Sequence, residues 1–242
     1  MDLLSTHQQP LVSESFVSFE TNVTELPSCN KLRFLEDLNN LMQNPNYKVV
    51  FFTRHAHAVQ ENKKHPVLDR TRPLDEKGER DAEKLGETLS VLSFKDVIFL
   101  TSSATRTFMT AEHIIRMINA ESFEVISSEK FYHVPVKNYF EYLRYKSLHD
   151  RNHVFFVGHN SAMTKVLLKI SGRPKAFIPT AGVMALAIKT DNWRSFYQES
   201  HDEVHVFTWS PRETHVLESA SVDEETEFSH LKVGEVRLDF AD

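Results

Sequence analysis

Five short apolar runs, separated by polar loops and by stretches with helical spacing, constrain this chain more than any other feature. They are "KVVFFT" (48–53), "DVIFLTSS" (96–103), "FEVISS" (123–128), "HVFFVGHN" (153–160) and "GVMALAIK" (182–189). Each is six to eight residues long and rich in β-branched or aromatic side chains, which predicts strands. The runs are apolar at consecutive positions instead of alternating, so both faces of the sheet are expected to be covered. The intervening segments supply the cover. Ala82, Leu85, Leu89 and Leu92 recur at helical spacing over 76–92, and Phe108, Ala111, Ile115 and Ile118 form a second stripe behind Ser103 as its cap. Val136, Phe140 and Leu143 mark a third helix; Met163, Val166, Leu167 and Ile170 mark a fourth, stopped by Gly172 and Pro174. Ahead of all these, Leu35, Leu38 and Met42 predict a helix from the cap Asn30 to the "NPN" at 44–46. Strands alternating with helices predict an α/β fold, a three-layer αβα sandwich around a mostly parallel sheet. "SFYQES" and "EVHVFTW" are expected to add a hairpin or an edge. The chain divides into an extension with one helix (1–46), the α/β domain (47–210) and an acid-rich tail (211–242).

Composition narrows the ligand. The 242 residues carry a net charge of −6, which argues against a nucleic-acid partner, since that needs a basic face. No apolar run approaches about 18 residues, so no membrane span is expected. "MDLLSTHQQPLVSE" lacks a basic region and an apolar stretch, so it does not read as a secretory signal. The single cysteine, Cys29, excludes an internal disulfide and a cysteine-built zinc site. A cytoplasmic protein is expected, in which the "NVT" at 22–24 is an idle glycosylation pattern. An anionic ligand would need a local cluster of cations, because the overall field does not help.

Such a cluster emerges from the topology. Ligands of open α/β sheets sit beyond the carboxyl ends of the strands. The first strand ends on Arg54 and His55, the second on Ser102 and Ser103 with Arg106 one turn on, and the fourth on Gly158, His159 and Asn160. The loop after the first strand adds Arg72, with Arg70 as its substitute. A cation in the first turn of a helix opposes the macrodipole at about 0.3–1 kcal/mol, and an anion bound between Arg106 and that helix end would reverse the sign. Guanidinium forks match phosphate oxygens bidentately, and imidazole is among the side chains that form covalent intermediates. The pattern reads as a phosphoryl pocket around two histidines.

"TRHAHA", "RPLDEKGERDAEKL", "SSATRTFMTAEHI" and "FVGHN" resemble, in order and spacing, the histidine phosphatase superfamily. The short loop between "RHA" and "RPL" and the ending "IPTAGVMALAI" are most similar to its bacterial phosphohistidine phosphatase branch. The resemblance covers about residues 47–200. It implies a phosphoglycerate-mutase-like fold and a metal-independent phosphatase without a cofactor. His55 would be the nucleophile, Arg54, Arg72 and Arg106 the phosphoryl clamp, and His159 a hydrogen-bond donor to the phosphoryl group. Asn160 and Ser103 would line the substrate site. The implied substrates are phosphorylated proteins, phosphohistidine among them, or small phosphorylated metabolites, with no oligomeric state specified.

Other readings compete at particular residues. His55 and His57, two apart at a strand end, could be a metal pair, although the neighbouring arginines would repel a divalent cation. His57 stands where an acidic residue is common in that branch, and is either a partner of the site or solvent-facing. Many members of that superfamily have a carboxylate general acid between the second arginine and the second histidine; Glu129, Glu141 and Asp150 lie in that interval here, none in a matching motif. His65, His113, His133, His149 and His153 are expected to be structural or exposed. A catalytically silent phosphate-binding module is the alternative of another class.

Overall fold

The computed structural model describes residues 22–24, 31–60, 68–132, 135–144, 148, 151–171, 177–193 and 203–211. Twelve elements follow in chain order: β1 (Asn22–Thr24), α1 (Lys31–Gln43), β2 (Tyr47–Arg54), α2 (Glu76–Leu89), β3 (Phe94–Ser102), α3 (Thr105–Met117), β4 (Ala120–Ser128), α4 (Val136–Leu143), β5 (His153–Gly158), α5 (Asn160–Ser171), β6 (Val183–Lys189) and β7 (Glu203–Trp209). Two 3-10 turns, Asp69–Thr71 and Glu129–Phe131, stand at the loops that later matter.

The strands form one sheet in the order β1-β7-β6-β2-β5-β3-β4. β2, β5, β3 and β4 run parallel, which is the mostly parallel core expected of alternating strands and helices. The run "GVMALAIK" enters as β6 antiparallel to β2, and "EVHVFTW" extends it as antiparallel β7. The "NVT" tripeptide is β1, paired parallel to β7.

Alternation along the central strands explains the three layers. Val49 and Phe51 of β2 belong to one apolar cluster with α1, α2 and α3; Val50 and Phe52 belong to another with α4 and α5. Phe51, Phe155 and Phe99 stack from β2 through β5 to β3, with ring centroids 4.2 Å and 4.6 Å apart. Full burial of such a side chain contributes about 1.5–3 kcal/mol, so these strands carry much of the stability. Leu35, Leu38 and Met42 bring α1 onto the same cluster. The extension's helix is therefore part of the packed structure.

Two expectations about α3 are corrected. Phe108 is 48% exposed, and the buried face is Arg106, Thr107, Thr110, Ala111 and Ile114. The helix is rotated so that Arg106 points inward at the sheet end, and an apolarity count alone misses that. Its N-cap is Ala104, with no side-chain cap; Ser103 does not fill that role. Instead the Ala104 N–H donates to Ser102 Oγ at 3.3 Å. Asn30, Cys29, Gly172, Pro174, "SFYQES", residues 1–21 and the tail beyond 211 lie outside the described residues, as do His65, His133, His149 and Asp150.

Candidate active site

His55 leaves the carboxyl end of β2 between two backbone contacts. Arg54 is in register with Gly158 of β5, and the His55 N–H donates to the Gly158 carbonyl at 3.0 Å. From the opposite side, the Ala181 N–H donates to the His55 carbonyl at 3.3 Å, and the Arg54 N–H to that of Gly182 at 3.0 Å. Ala181 takes the left-handed φ of 57°, a conformation that costs a residue with a Cβ about 1–2 kcal/mol. That strain sits in the loop that fixes the His55 backbone, as strained residues at functional sites often do.

The His55 ring is equally constrained. Nδ1 lies 2.8 Å from the Ala56 carbonyl, an acceptor only, so the ring proton resides on Nδ1 and the Nε2 lone pair is available. Burial is the main cause that lowers the His55 pKa to about 4. The hydrogen bond to the Ala56 carbonyl works against this, while Arg106, Arg54 and Arg72 add to it. The imidazole is neutral at physiological pH.

Among the described residues, Arg106, 2% exposed, is the most enclosed cation. Its Nη2 approaches His159 Nδ1 at 3.4 Å and donates to Asp69 Oδ2 at 2.9 Å, while Nη1 donates to the Asp69 carbonyl at 2.6 Å. Arg72 directs Nε to Asp69 Oδ1 at 2.9 Å, pairs through Nη2 with the same oxygen, and gives Nη1 to the Val59 carbonyl at 3.0 Å. Arg54 Nη1 donates to the Ile178 carbonyl at 3.1 Å. In this structure the anion paired with Arg106 is the Asp69 carboxylate. Burial alone would raise the Asp69 pKa, but hydrogen bonds from Tyr132, Arg72 and Arg106 outweigh it and hold the carboxyl well below the usual range.

His159 is 4% exposed, and its ring centroid lies 5.4 Å from that of His55. A guanidinium can only donate, so His159 Nδ1 is the acceptor from Arg106 and Nε2 carries the proton. Nε2 then donates to Ser102 Oγ at 2.8 Å, and Ser102 passes its own proton to Thr107 Oγ1 at 2.8 Å. Thr107 completes the chain by donating to the Ala104 carbonyl at 2.7 Å.

The structure brings His55, Arg54, Arg72, Arg106 and His159 to one sheet end, but not the other two sequence candidates. The exposed Asn160 accepts from Thr164 of its own helix at 2.7 Å. Ser103 Oγ is buried without a hydrogen-bond partner, and its neighbour Ser102 meets His159 instead. Alternation at the strand end decides which serine points inward. Arg70 pairs with Glu129 at 2.8 Å and lies over the Tyr132 ring, so it does not stand in for Arg72. His57 turns to Asp75, with Nδ1 2.5 Å from Oδ2, and Asp75 caps α2 by accepting from the Gly78 N–H at 2.8 Å. Glycine is required at 78, because a Cβ there would meet the His57 carbonyl oxygen at 1.9 Å. Sequence reasoning missed Asp69 and Tyr132, and it placed Ser102 at the strand end but chose Ser103 for the site. The available signal for Asp69 was its place three residues before Arg72, which a helical turn puts on the same side.

The fold is an α/β sandwich that gathers two histidines and three arginines at one end of a mostly parallel sheet. Within it, residues 50–132, from β2 past the Glu129–Phe131 turn, match the histidine phosphatase superfamily (branch 1). Solved structures agree on the fold. One, described provisionally as phosphohistidine phosphatase SixA from Nakamurella multipartitia, is 21% identical with a TM-score of 0.52, covering 69% of this chain and 97% of its own. The protein histidine phosphatase SixA complexed with tungstate is 18% identical with a TM-score of 0.50, over 67% and 97% of the two chains. No curated protein sequence matches the chain. No helix among the described residues is long and apolar enough to cross a membrane.

Proposed function

We propose that the protein removes phosphoryl groups by covalent catalysis on His55, with phosphohistidine in a protein as its substrate class. The observation that carries this reading is the state of His55: a half-buried neutral imidazole whose Nδ1–H is committed to the Ala56 carbonyl, among three guanidiniums. The Nε2 lone pair forms an N–P bond as the bond from phosphorus to the leaving group breaks. The leaving group departs with that electron pair and takes up a proton. Water then attacks phosphorus, the N–P electrons return to Nε2, and inorganic phosphate leaves. Arg54, Arg72 and Arg106 stabilise the charge spread over the phosphoryl oxygens, which is most of what a protein supplies to this chemistry. His159 orients Arg106 and gains its own donor role when Nε2–H exchanges Ser102 for a phosphoryl oxygen.

The choice of substrate rests on the acids. Among the described residues, Glu129 pairs with Arg70, Glu141 is exposed on α4, and Asp69 is held ionised, with no proton to give near neutral pH. A leaving imidazole, which protonates near neutrality, needs an acid less than an alkoxide does. Phosphoramidate substrates are favoured for that reason.

Acid- and base-quenched labelling with a phosphorylated substrate, in chelator, tests the route. The expected label is alkali-stable, acid-labile and absent from His55→Ala. Comparison of a phosphohistidine peptide with a phosphoserine peptide and a sugar phosphate tests the class. Faster turnover of the sugar phosphate would assign the site to small metabolites.

A further inference from the structure

Asp69 is the least expected member of the site, and its contacts are specific. Oδ1 takes the Nε and Nη2 edge of Arg72, Oδ2 takes Arg106 Nη2 and the Tyr132 hydroxyl, and the main-chain carbonyl takes Arg106 Nη1. A carboxylate receiving two guanidinium edges at once is bound as a phosphoryl group would be, through charge-assisted forks. The donors it uses are those that the proposed reaction assigns to the substrate. The Asp69–Thr71 turn is secured from the far side of the mouth, where Tyr132 Oη lies 2.5 Å from Oδ2 and Arg70 bridges to Glu129 at 2.8 Å. Asp69 itself remains open to solvent, its side chain 45% exposed, so an arriving oxyanion reaches the same forks without unfolding the core.

We propose that Asp69 is a built-in competitor for the phosphoryl site, whose carboxylate and the substrate's phosphoryl oxygens use the same edges of Arg72 and Arg106. Binding of any dianionic oxyanion must then displace the carboxylate from one or both forks. A substrate with further contacts to the protein overcomes that cost; a bare tetrahedral oxyanion such as the phosphate product does so poorly. Asp69 therefore sets discrimination between a phosphorylated macromolecule and free phosphate, and it promotes product release by reclaiming the arginines. The inference rests on the assignment of Arg72 and Arg106 to the phosphoryl group.

The test is titration calorimetry of the full chain with inorganic phosphate and, separately, tungstate, alongside steady-state turnover. Asp69→Asn keeps the shape and removes the anion. It should bind phosphate at least tenfold tighter than wild type and show correspondingly stronger product inhibition. Tyr132→Phe removes one anchor of the carboxylate and should shift binding the same way by two- to threefold. Weaker binding in Asp69→Asn would mean that the carboxylate merely holds the arginines in place, and would overturn the proposal. Equal binding in wild type and Asp69→Asn, with His55 still labelled, would overturn it alone. No binding to either protein, together with no label, would overturn the phosphoryl-pocket assignment as well.

Discussion

At the scale of single residues, the site is governed by how a neutral imidazole is kept beside cations. His55 has its pKa lowered to about 4, so it stays unprotonated down to that pH. The acid limb of kcat/KM assigned to the free enzyme should fall near 4, well below the ordinary histidine value of about 6.5. A pH–rate profile with a substrate that does not titrate between 4 and 7 checks this; a limb at 6.5 would contradict it. Arg106→Lys keeps a charge but loses the fork that reaches Asp69 and His159, and kcat should fall about 10²–10³-fold, as for a lost transition-state donor. Arg54 and His55 were legible in the sequence because a cation or imidazole at the end of an apolar strand has few structural reasons to be there, and Arg106 because a cation in the first turn of a helix opposes its dipole. Asp69 was not, since a carboxylate in a polar loop looks like any solvated loop residue until three dimensions put Arg106 beside it. Ser103 was preferred to Ser102 because nothing in the sequence tells which of two serines at a strand end faces inward.

Elements were easier to read than contacts. Strands apolar on both faces and helices with a regular stripe announce themselves by periodicity, and β2, β3, β5 and α2 fall close to the expected bounds. What periodicity does not carry is strand direction or the rotation of a helix whose inward face is polar. α3 is that case, with Arg106, Thr107 and Thr110 buried while Phe108 faces out. α1 shows the same limit: its stripe predicts a helix but not the surface it covers. Leu38, 1% exposed, places α1 against β2 and its neighbours. Leu38→Ala should cost about 2–5 kcal/mol in urea unfolding, the range for a large-to-small core change. Because the described contacts of His55 come from Ala56, Gly158, Ala181 and His159, and none from α1, labelling of His55 per folded molecule should remain at the wild-type level.

For the whole molecule, the sheet is both frame and burden, because seating histidines in it makes stability depend on pH. His153, at the start of β5, is 2% exposed; Nε2 meets the Met42 carbonyl at 3.3 Å, while Nδ1 is buried without a hydrogen-bond partner. Its pKa, like that of His55, is lowered to about 4, chiefly by burial. In the unfolded chain both rings titrate near 6.5, so between 6.5 and 4 the unfolded state binds more protons and stability falls as pH falls. Each ring contributes a slope of up to about 1.4 kcal/mol per pH unit across that window and nothing above it. Asp75, whose pKa is lowered because hydrogen bonds from Gly78 and His57 outweigh its burial, adds loss only once the pH drops below the unfolded carboxylate range. Urea unfolding at intervals from pH 7.5 to 4.5 should therefore show a plateau above 7 and a decline that begins near 6.5. His153→Gln removes one titrating ring and should reduce that decline by about one proton's worth, whatever it costs at pH 7.5. It should leave the acid limb of kcat/KM in place, because that limb belongs to His55. A decline of unchanged steepness in His153→Gln would mean that the ring is not the buried neutral base the sheet makes of it.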